Sequence, residues 1–183
     1  MKYSKEWLRK ELTENKKIEY LFFWGHQPSK DGSIIKTCMS QWWPVNFVDG
    51  KVKYKTTEHY MMEGKAKLFG DFEIAEQVIK CDSPKDVKAL GRLVKNFDPV
   101  TWDAHKFQIV KQGNILKFSQ NEDLKKFLLQ TGSKVIVEAS PRDLIWGIGL
   151  GEANPKSQHP DTWRGENLLG FALMEVRDEL IKN

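Results

Sequence analysis

A glutamate and a lysine stand seven residues apart in Thr57-Glu58-His59-Tyr60-Met61-Met62-Glu63-Gly64-Lys65-Ala66. On a helix, seven residues make about two turns, so Glu58 and Lys65 share a face. Met61, Met62, Leu68 and Phe69 fall on the same side. Two ionisable groups are thus projected along a stripe that otherwise reads as buried. Buried charge is costly unless paired, which makes such groups candidates for chemistry. Glu58 falls in the first turn, where the helix dipole favours the ionised carboxylate. A lysine desolvated by methionine and phenylalanine has a lowered pKa, and its neutral amine can attack an anomeric carbon to form a Schiff base. A lysine that stays charged binds phosphate instead. The plainer alternative is a helix whose two charged ends reach solvent beside a methionine-rich core.

A second constellation is Glu138-Ala139-Ser140-Pro141-Arg142-Asp143-Leu144-Ile145-Trp146-Gly147-Ile148-Gly149. A strand ends near Glu138, and a loop then presents Asp143 and, three residues on, Trp146. Glycines 147, 149 and 151 would let backbone approach a ligand closely. The alternative here is a tight structural turn around a core tryptophan. Glu58 and Asp143 come from different elements and could face each other across a cleft. Two carboxylates flanking a bond are what glycosidic cleavage needs, because its transition state is oxocarbenium-like.

Other chemistries find less support. His26, His59, His105 and His159 are scattered, without the spacing of a zinc site. No Gly-x-Ser-x-Gly elbow and no phosphate-binding Walker loop occurs. Arg92, after Gly91, reads either as a phosphate contact or as an exposed helical arginine. Neither a metal nor an organic cofactor is expected.

The elements that must position these residues are mostly helices. Ser4 to Glu14 reads as an amphipathic helix capped by Ser4, with Trp7, Leu8 and Leu12 on one side. Tyr20-Leu21-Phe22-Phe23-Trp24 suits a short buried strand. Residues 25–33 form a loop, and Asp49-Gly50 marks a hairpin. Helices are predicted over 57–69 and 72–80, from Ser83-Pro84, from Asp98-Pro99 to about 118, and around Leu124 to Leu128. In the helix after Asp98-Pro99, the apolar positions are Val100, Ala104, Phe107, Ile115 and Phe118. Lys134–Glu138 reads as a strand, and 140–165 as the longest irregular segment. Leu168 to Leu180 closes the chain as the clearest amphipathic helix.

The 183 residues carry 29 Lys and Arg against 25 Asp and Glu, a net charge of +4. That mild excess favours anionic ligands but is too small and too interspersed for a nucleic-acid coat protein. Two cysteines exclude a disulfide framework. With no long apolar run and no secretory leader in view, the expectation is a cytoplasmic protein without a membrane partner. Seven Trp, ten Phe and four Tyr supply rings for a core or for stacking on a planar base.

Five ordered blocks resemble the NADAR (YbiA-like) family. They are Phe22-Phe23-Trp24-Gly25, Met39-Ser40-Gln41-Trp42-Trp43-Pro44, Tyr54-Lys55-Thr56-Thr57-Glu58-His59-Tyr60-Met61-Met62 through Lys65-Ala66, Glu138 through Gly149, and Asn167-Leu168-Leu169-Gly170 with Leu173-Met174-Glu175-Val176-Arg177. The resemblance implies a mainly α, single-domain YbiA-like fold with a small β component. The domain would span 20–183, preceded by a helical extension at 1–19. It implies hydrolysis of a ribosyl N-glycosidic bond, with a small-molecule phosphoribosyl or ADP-ribosyl substrate. The substrate would be a phosphoribosylamino-pyrimidine of riboflavin synthesis or ADP-ribosylated guanine, the latter including ADP-ribosylated DNA or RNA. The implied catalytic residues are Glu58, Lys65 and Asp143. The implied substrate-binding residues are Trp24, Ser40, Trp43, Arg92, Trp102, Trp146, Gly147 and Asn167. Family members often carry Ala-Gln where this chain has Glu63-Gly64, which would loosen the helix and add an acid near Lys65. A non-catalytic ADP-ribose or nucleotide-binding module is the second reading, and an aromatic-rich interaction domain the third.

Overall fold

The computed structural model describes residues 1–14 and 16–182. The chain divides into two compact units, Met1–Ser40 with Asp123–Asn183, and Gln41–Glu122. The boundaries thus fall inside the expected 20–183 domain, and residues 1–14 and 16–19 belong to the first unit.

The first unit opens with α1 (Lys5–Thr13), capped by Ser4 Oγ, which accepts from the Trp7 N–H at 3.1 Å. Strand β1 (Tyr20–Phe23) follows, then a 3-10 turn at Lys36–Met39. Helix α6 (Glu122–Gln130) leads into β4 (Val135–Glu138). Two 3-10 turns, Pro155–Gln158 and Pro160–Thr162, precede α7 (Leu168–Lys182). β1 and β4 pair in parallel with Tyr20 opposite Val135 and Phe23 opposite Glu138. Val135, Ile136 and Val137 are all buried, as expected of a parallel strand covered on both faces. Helix α7 packs on β4. Every residue from Leu169 to Arg177 is buried, so this part of α7 is enclosed on all sides, where its amphipathic pattern predicts one apolar face. Gly170 permits the approach: a Cβ there would stand 2.1 Å from the Ile136 carbonyl oxygen.

The second unit contains the hairpin β2 (Phe47–Asp49) and β3 (Val52–Tyr54), then helices α2 (Thr57–Leu68), α3 (Phe72–Lys80), α4 (Pro84–Leu90) and α5 (Pro99–Ser119). Gly50, at φ 56°, takes the first turn position, where glycine is favoured. The small β component is therefore two separate two-stranded sheets. The helix starts follow their caps: Thr56, Asp71, Ser83 and Asp98 side chains each accept a backbone N–H from the first turn. α2 packs against α3, α4 and α5. One detail differs on α5. Val100 and Ala104 are exposed, while Phe107, Val110, Gly113, Asn114, Lys117 and Phe118 are buried. The helix turns a face toward the core that begins about two turns later than its first apolar residue suggests.

Candidate active site

Within the second unit, α2 carries both candidate groups. Glu58 is 2% exposed. Its position is set from outside the helix: the Gln41 carbonyl accepts the Glu58 N–H at 2.9 Å and the Thr57 hydroxyl at 3.1 Å. The first of these bonds satisfies a backbone donor that the first turn leaves without an intrahelical partner. His59 ties the same end to the segment after α3, with Nδ1 2.8 Å from Thr56 Oγ1 and Nε2 3.1 Å from the Cys81 carbonyl. A carbonyl only accepts, so Nε2 carries the proton and Nδ1 accepts from the threonine. Met61 and Met62 are buried, as the stripe predicts, while Leu68 and Phe69 at its far end are only half-buried.

Lys65 lies two turns on. Its ammonium donates to the Gly91 carbonyl at 2.7 Å and lies 4.2 Å from the centre of the Phe97 ring and 5.7 Å from that of Trp102. Burial lowers its pKa, in the direction the sequence predicts. Phe97 and Gly91 were not legible as site residues. The only signal was the Gly91-Arg92 pair, which pointed to Arg92. Arg92 itself is exposed. Gly91 can come so close because it lacks a side chain: a Cβ there would stand 2.0 Å from Met62 Sδ.

The Glu63-Gly64 substitution has a structural account. A Cβ at 64 would meet Ile109 Cγ2 of α5 at 2.9 Å, so the glycine permits the close α2–α5 crossing. Glu63 is buried, ion-paired with Lys67 and 3.3 Å from Tyr54 Oη. Its carboxylate is held by these partners. Trp43 is buried in the same unit.

In the first unit, the Asp143 loop is built on β4 and α7. Asp143 Oδ1 accepts the N–H groups of Ile145 at 2.9 Å and Trp146 at 2.8 Å, an Asx turn that fixes the half-buried indole. The Trp146 carbonyl accepts the Leu169 N–H at 3.1 Å, and the Gly147 carbonyl accepts that of Asn167, also at 3.1 Å. Gly147 is buried against its own chain: a Cβ would stand 2.9 Å from the Glu138 carbonyl oxygen. Gly149, at φ 69°, is similarly closed in by Leu144 and Arg164. At both positions the surrounding chain leaves no room for a side chain.

Asn167 also acts inward. Fully buried at φ 56°, it donates from Nδ2 to the Ile136 carbonyl and accepts the Glu138 N–H on Oδ1, both at 2.9 Å. Its amide pairs the edge of β4 that β1 leaves open, in place of a further strand. That engagement makes Asn167 a clamp on β4. Trp24, just after β1, is 62% exposed and available for stacking, and Ser40 is half-buried at the end of its 3-10 turn. Among the described residues, no group of three or more His, Cys, Asp or Glu side chains is placed to hold a metal ion. Among the described residues, no helix is long and apolar enough to cross a membrane.

The NADAR domain model matches residues 22–181. The chain belongs to the NADAR family. An N-glycosidase of Acanthamoeba polyphaga mimivirus is 48% identical over 166 residues, covering 88% of this chain and 96% of its own. The N-glycosidase YbiA of Escherichia coli strain K12 is 32% identical over 138 residues, 75% of this chain and 76% of its own. The solution structure of Escherichia coli YbiA superposes with a TM-score of 0.71 over 91% of this chain and 88% of that one, at 24% identity. The NADAR fold is thus shared, mainly helical with a small β component. The first 21 residues precede the matched domain.

Proposed function

We propose that this NADAR protein hydrolyses the bond between a ribosyl anomeric carbon and a heterocycle's nitrogen, in a substrate whose ribose also carries phosphate. The N-glycosidase relatives support the reaction class. The observation that carries the reading is Lys65, an amine half-buried between two aromatic rings on the helix that also carries a buried Glu58.

Lys65 acts as the nucleophile. Burial favours its neutral form, which suits attack at carbon better than binding of phosphate. The amine adds to the anomeric carbon, and the carbon–nitrogen bond breaks. The leaving nitrogen takes the bonding pair and the proton that Glu58 relays from the amine; the ring carbon–oxygen bond of the lysine glycosylamine then opens, the ring oxygen taking the remaining amine proton, and water hydrolyses the resulting Schiff base. Glu58 accepts the proton from the amine and later from that water. Asp143 stabilises the positive charge that develops on the sugar. Trp102, Trp146 and Trp24 supply ring faces for the base or ribose, at about 1–3 kcal/mol per stacked base. Arg92 and Ser40 are assigned to the phosphate and ribose oxygens. Trp43, Gly147 and Asn167 are assigned to substrate binding with them. The phosphoribosylamino-pyrimidine and the ADP-ribosylated guanine both present this bond beside a phosphate and a planar ring.

The test is incubation with each compound, followed by detection of free base, ribose 5-phosphate or ADP-ribose. Wild type should release product, and Glu58→Gln should be slower by about a hundredfold or more. Borohydride should trap a covalent adduct at Lys65. Release of nothing by wild type, or a Glu58→Gln variant as fast as wild type, would sink the assignment. Tight ADP-ribose binding without turnover would favour a binding module instead.

A further inference from the structure

A cleft of about 580 Å³ lies wholly within the first unit, in the roughly 300–1,000 Å³ range of small-ligand sites. Tyr3, Trp7, Lys16, Lys17, Met174 and Arg177 are among its lining residues. None of the residues assigned to catalysis or substrate binding above lines it. Part of its wall comes from residues preceding the matched domain.

Arg177, on α7, is 3% exposed. Its Nη1 donates to Thr131 Oγ1 at 2.8 Å and to the Lys134 carbonyl at 2.9 Å. Both acceptors are neutral, and the two bonds use both Nη1 hydrogens, leaving those on Nε and Nη2. Among the described residues, no carboxylate pairs with this guanidinium at ion-pair distance. The acids around the cleft are already engaged. Asp178 accepts from Tyr3 Oη at 2.7 Å and pairs with Lys2. Glu11 pairs with Lys16 at 2.9 Å, and Glu19 stands 4.0 Å from Lys134. A buried cation normally has a counter-charge; the charge of Asp178 acts on Arg177 across the cleft, but Asp178 is held by Lys2 and Tyr3 and makes no ion pair with the guanidinium. Lys17 adds an exposed cation at the rim. Two rings flank the space: Tyr3 and Trp7 meet edge to face with centres 4.7 Å apart.

We propose that this cleft binds a small ligand in which a carboxylate or phosphate is attached to a planar ring, the oxyanion on Arg177 and the ring against Trp7. A guanidinium with parallel N–H groups to offer suits a bidentate oxyanion. The indole supplies a flat apolar face. The site does not depend on the catalytic reading.

Titration of the ¹⁵N-indole-labelled full chain tests it, with phenyl phosphate, benzoate and inorganic phosphate as probes. The Trp7 indole resonance, assigned with Trp7→Phe, should shift saturably with phenyl phosphate or benzoate, and the tighter probe names the head group. Inorganic phosphate should bind more weakly than phenyl phosphate, since it lacks the ring. Trp7→Ala, read from the thermal shift that the aryl probe produces, should weaken binding about tenfold, and Lys17→Ala should weaken it in the same direction. Arg177→Gln should abolish it. Because that variant removes a buried contact and could fail to fold, the Trp7 and Lys17 variants carry the test independently. Glu58→Gln should leave it unchanged, which separates this site from the catalytic one. A Trp7 resonance that stays fixed while other indoles move, or Trp7→Ala and Lys17→Ala variants that bind as wild type does, would overturn the proposal.

Discussion

Asp143 combines two tasks that a pair of substitutions can separate. One oxygen of its carboxylate accepts two backbone N–H groups and shapes the loop that holds Trp146. Its charge is what the proposed mechanism uses. Asn keeps an oxygen acceptor in the same place and removes the charge, whereas Ala removes both. Asp143→Asn should therefore keep the wild-type melting temperature while kcat falls about a hundredfold, an effect typical of losing one electrostatic stabiliser. Asp143→Ala should lose a similar factor in kcat and also raise KM, because the Trp146 indole is no longer fixed. Equal losses of melting temperature in the two variants would assign Asp143 to structure alone. Lys65 offers a second residue-scale test. The ring of Phe97 stabilises the ammonium form, in opposition to burial, which favours the amine. Phe97→Leu keeps an apolar neighbour and removes the ring's attraction. Lys65 should then lose its proton more easily, so the limb along which borohydride trapping rises with pH should move to lower pH. A limb that stays in place would show that the ring does not influence the amine.

At the scale of elements, α2 depends on its N-terminal tether. His59 is almost fully buried, and burial outweighs the Cys81 carbonyl in lowering its pKa. The unfolded chain takes up the proton at the ordinary value of 6.5, while the folded chain resists it until lower pH. The unfolded state therefore binds more protons between the two values, and stability falls as pH drops through that window. Above the unfolded value the contribution is present in full. Protonation would also remove the acceptor that Nδ1 offers to Thr56. Melting curves across about pH 5 to 7 should show a downward slope toward acid that His59→Gln flattens. An equal slope in both proteins would place the acid sensitivity elsewhere. The helix itself was legible: a threonine cap, an acid in the first turn and a buried stripe locate it within a residue. The starts at Ser4, Ser83 and Asp98 were read the same way, because caps are local. The burial of α7 was not local information. Its pattern resembles that of a surface helix, and only its packing against β4, with Gly170 under the Ile136 carbonyl, encloses it. Asn167 was noticed for its block of neighbours, yet its task became visible only once the open edge of β4 was known.

At the scale of the molecule, the unit structure follows from one pairing that no local pattern encodes. β1 and β4 lie side by side although more than a hundred residues separate them, and the second unit is the excursion Gln41–Glu122 between the two parts of the first. Periodicity reports that each strand is buried but not which strand covers its edge, so one small sheet was the natural expectation and two were found. Charge is the other whole-molecule property, and it bears on the choice of substrate. The net charge of +4 attracts any phosphate-bearing ligand, but a nucleic acid engages several phosphates at once. Each phosphate neutralised on a single strand contributes about −0.7 to the slope of log K against log salt concentration. If the protein reads ADP-ribosylated guanine within a strand, kcat/KM for the modified oligonucleotide should fall with a slope steeper than one such increment. The modified free nucleoside should be much less sensitive. If the substrate is a small phosphoribosyl compound, the two ADP-ribosyl forms should instead be equally poor, and turnover of the pyrimidine should vary only weakly with salt. Measured on the same preparation, the slopes decide whether the protein's field guides it along a polyanion or draws in one small anion at a time.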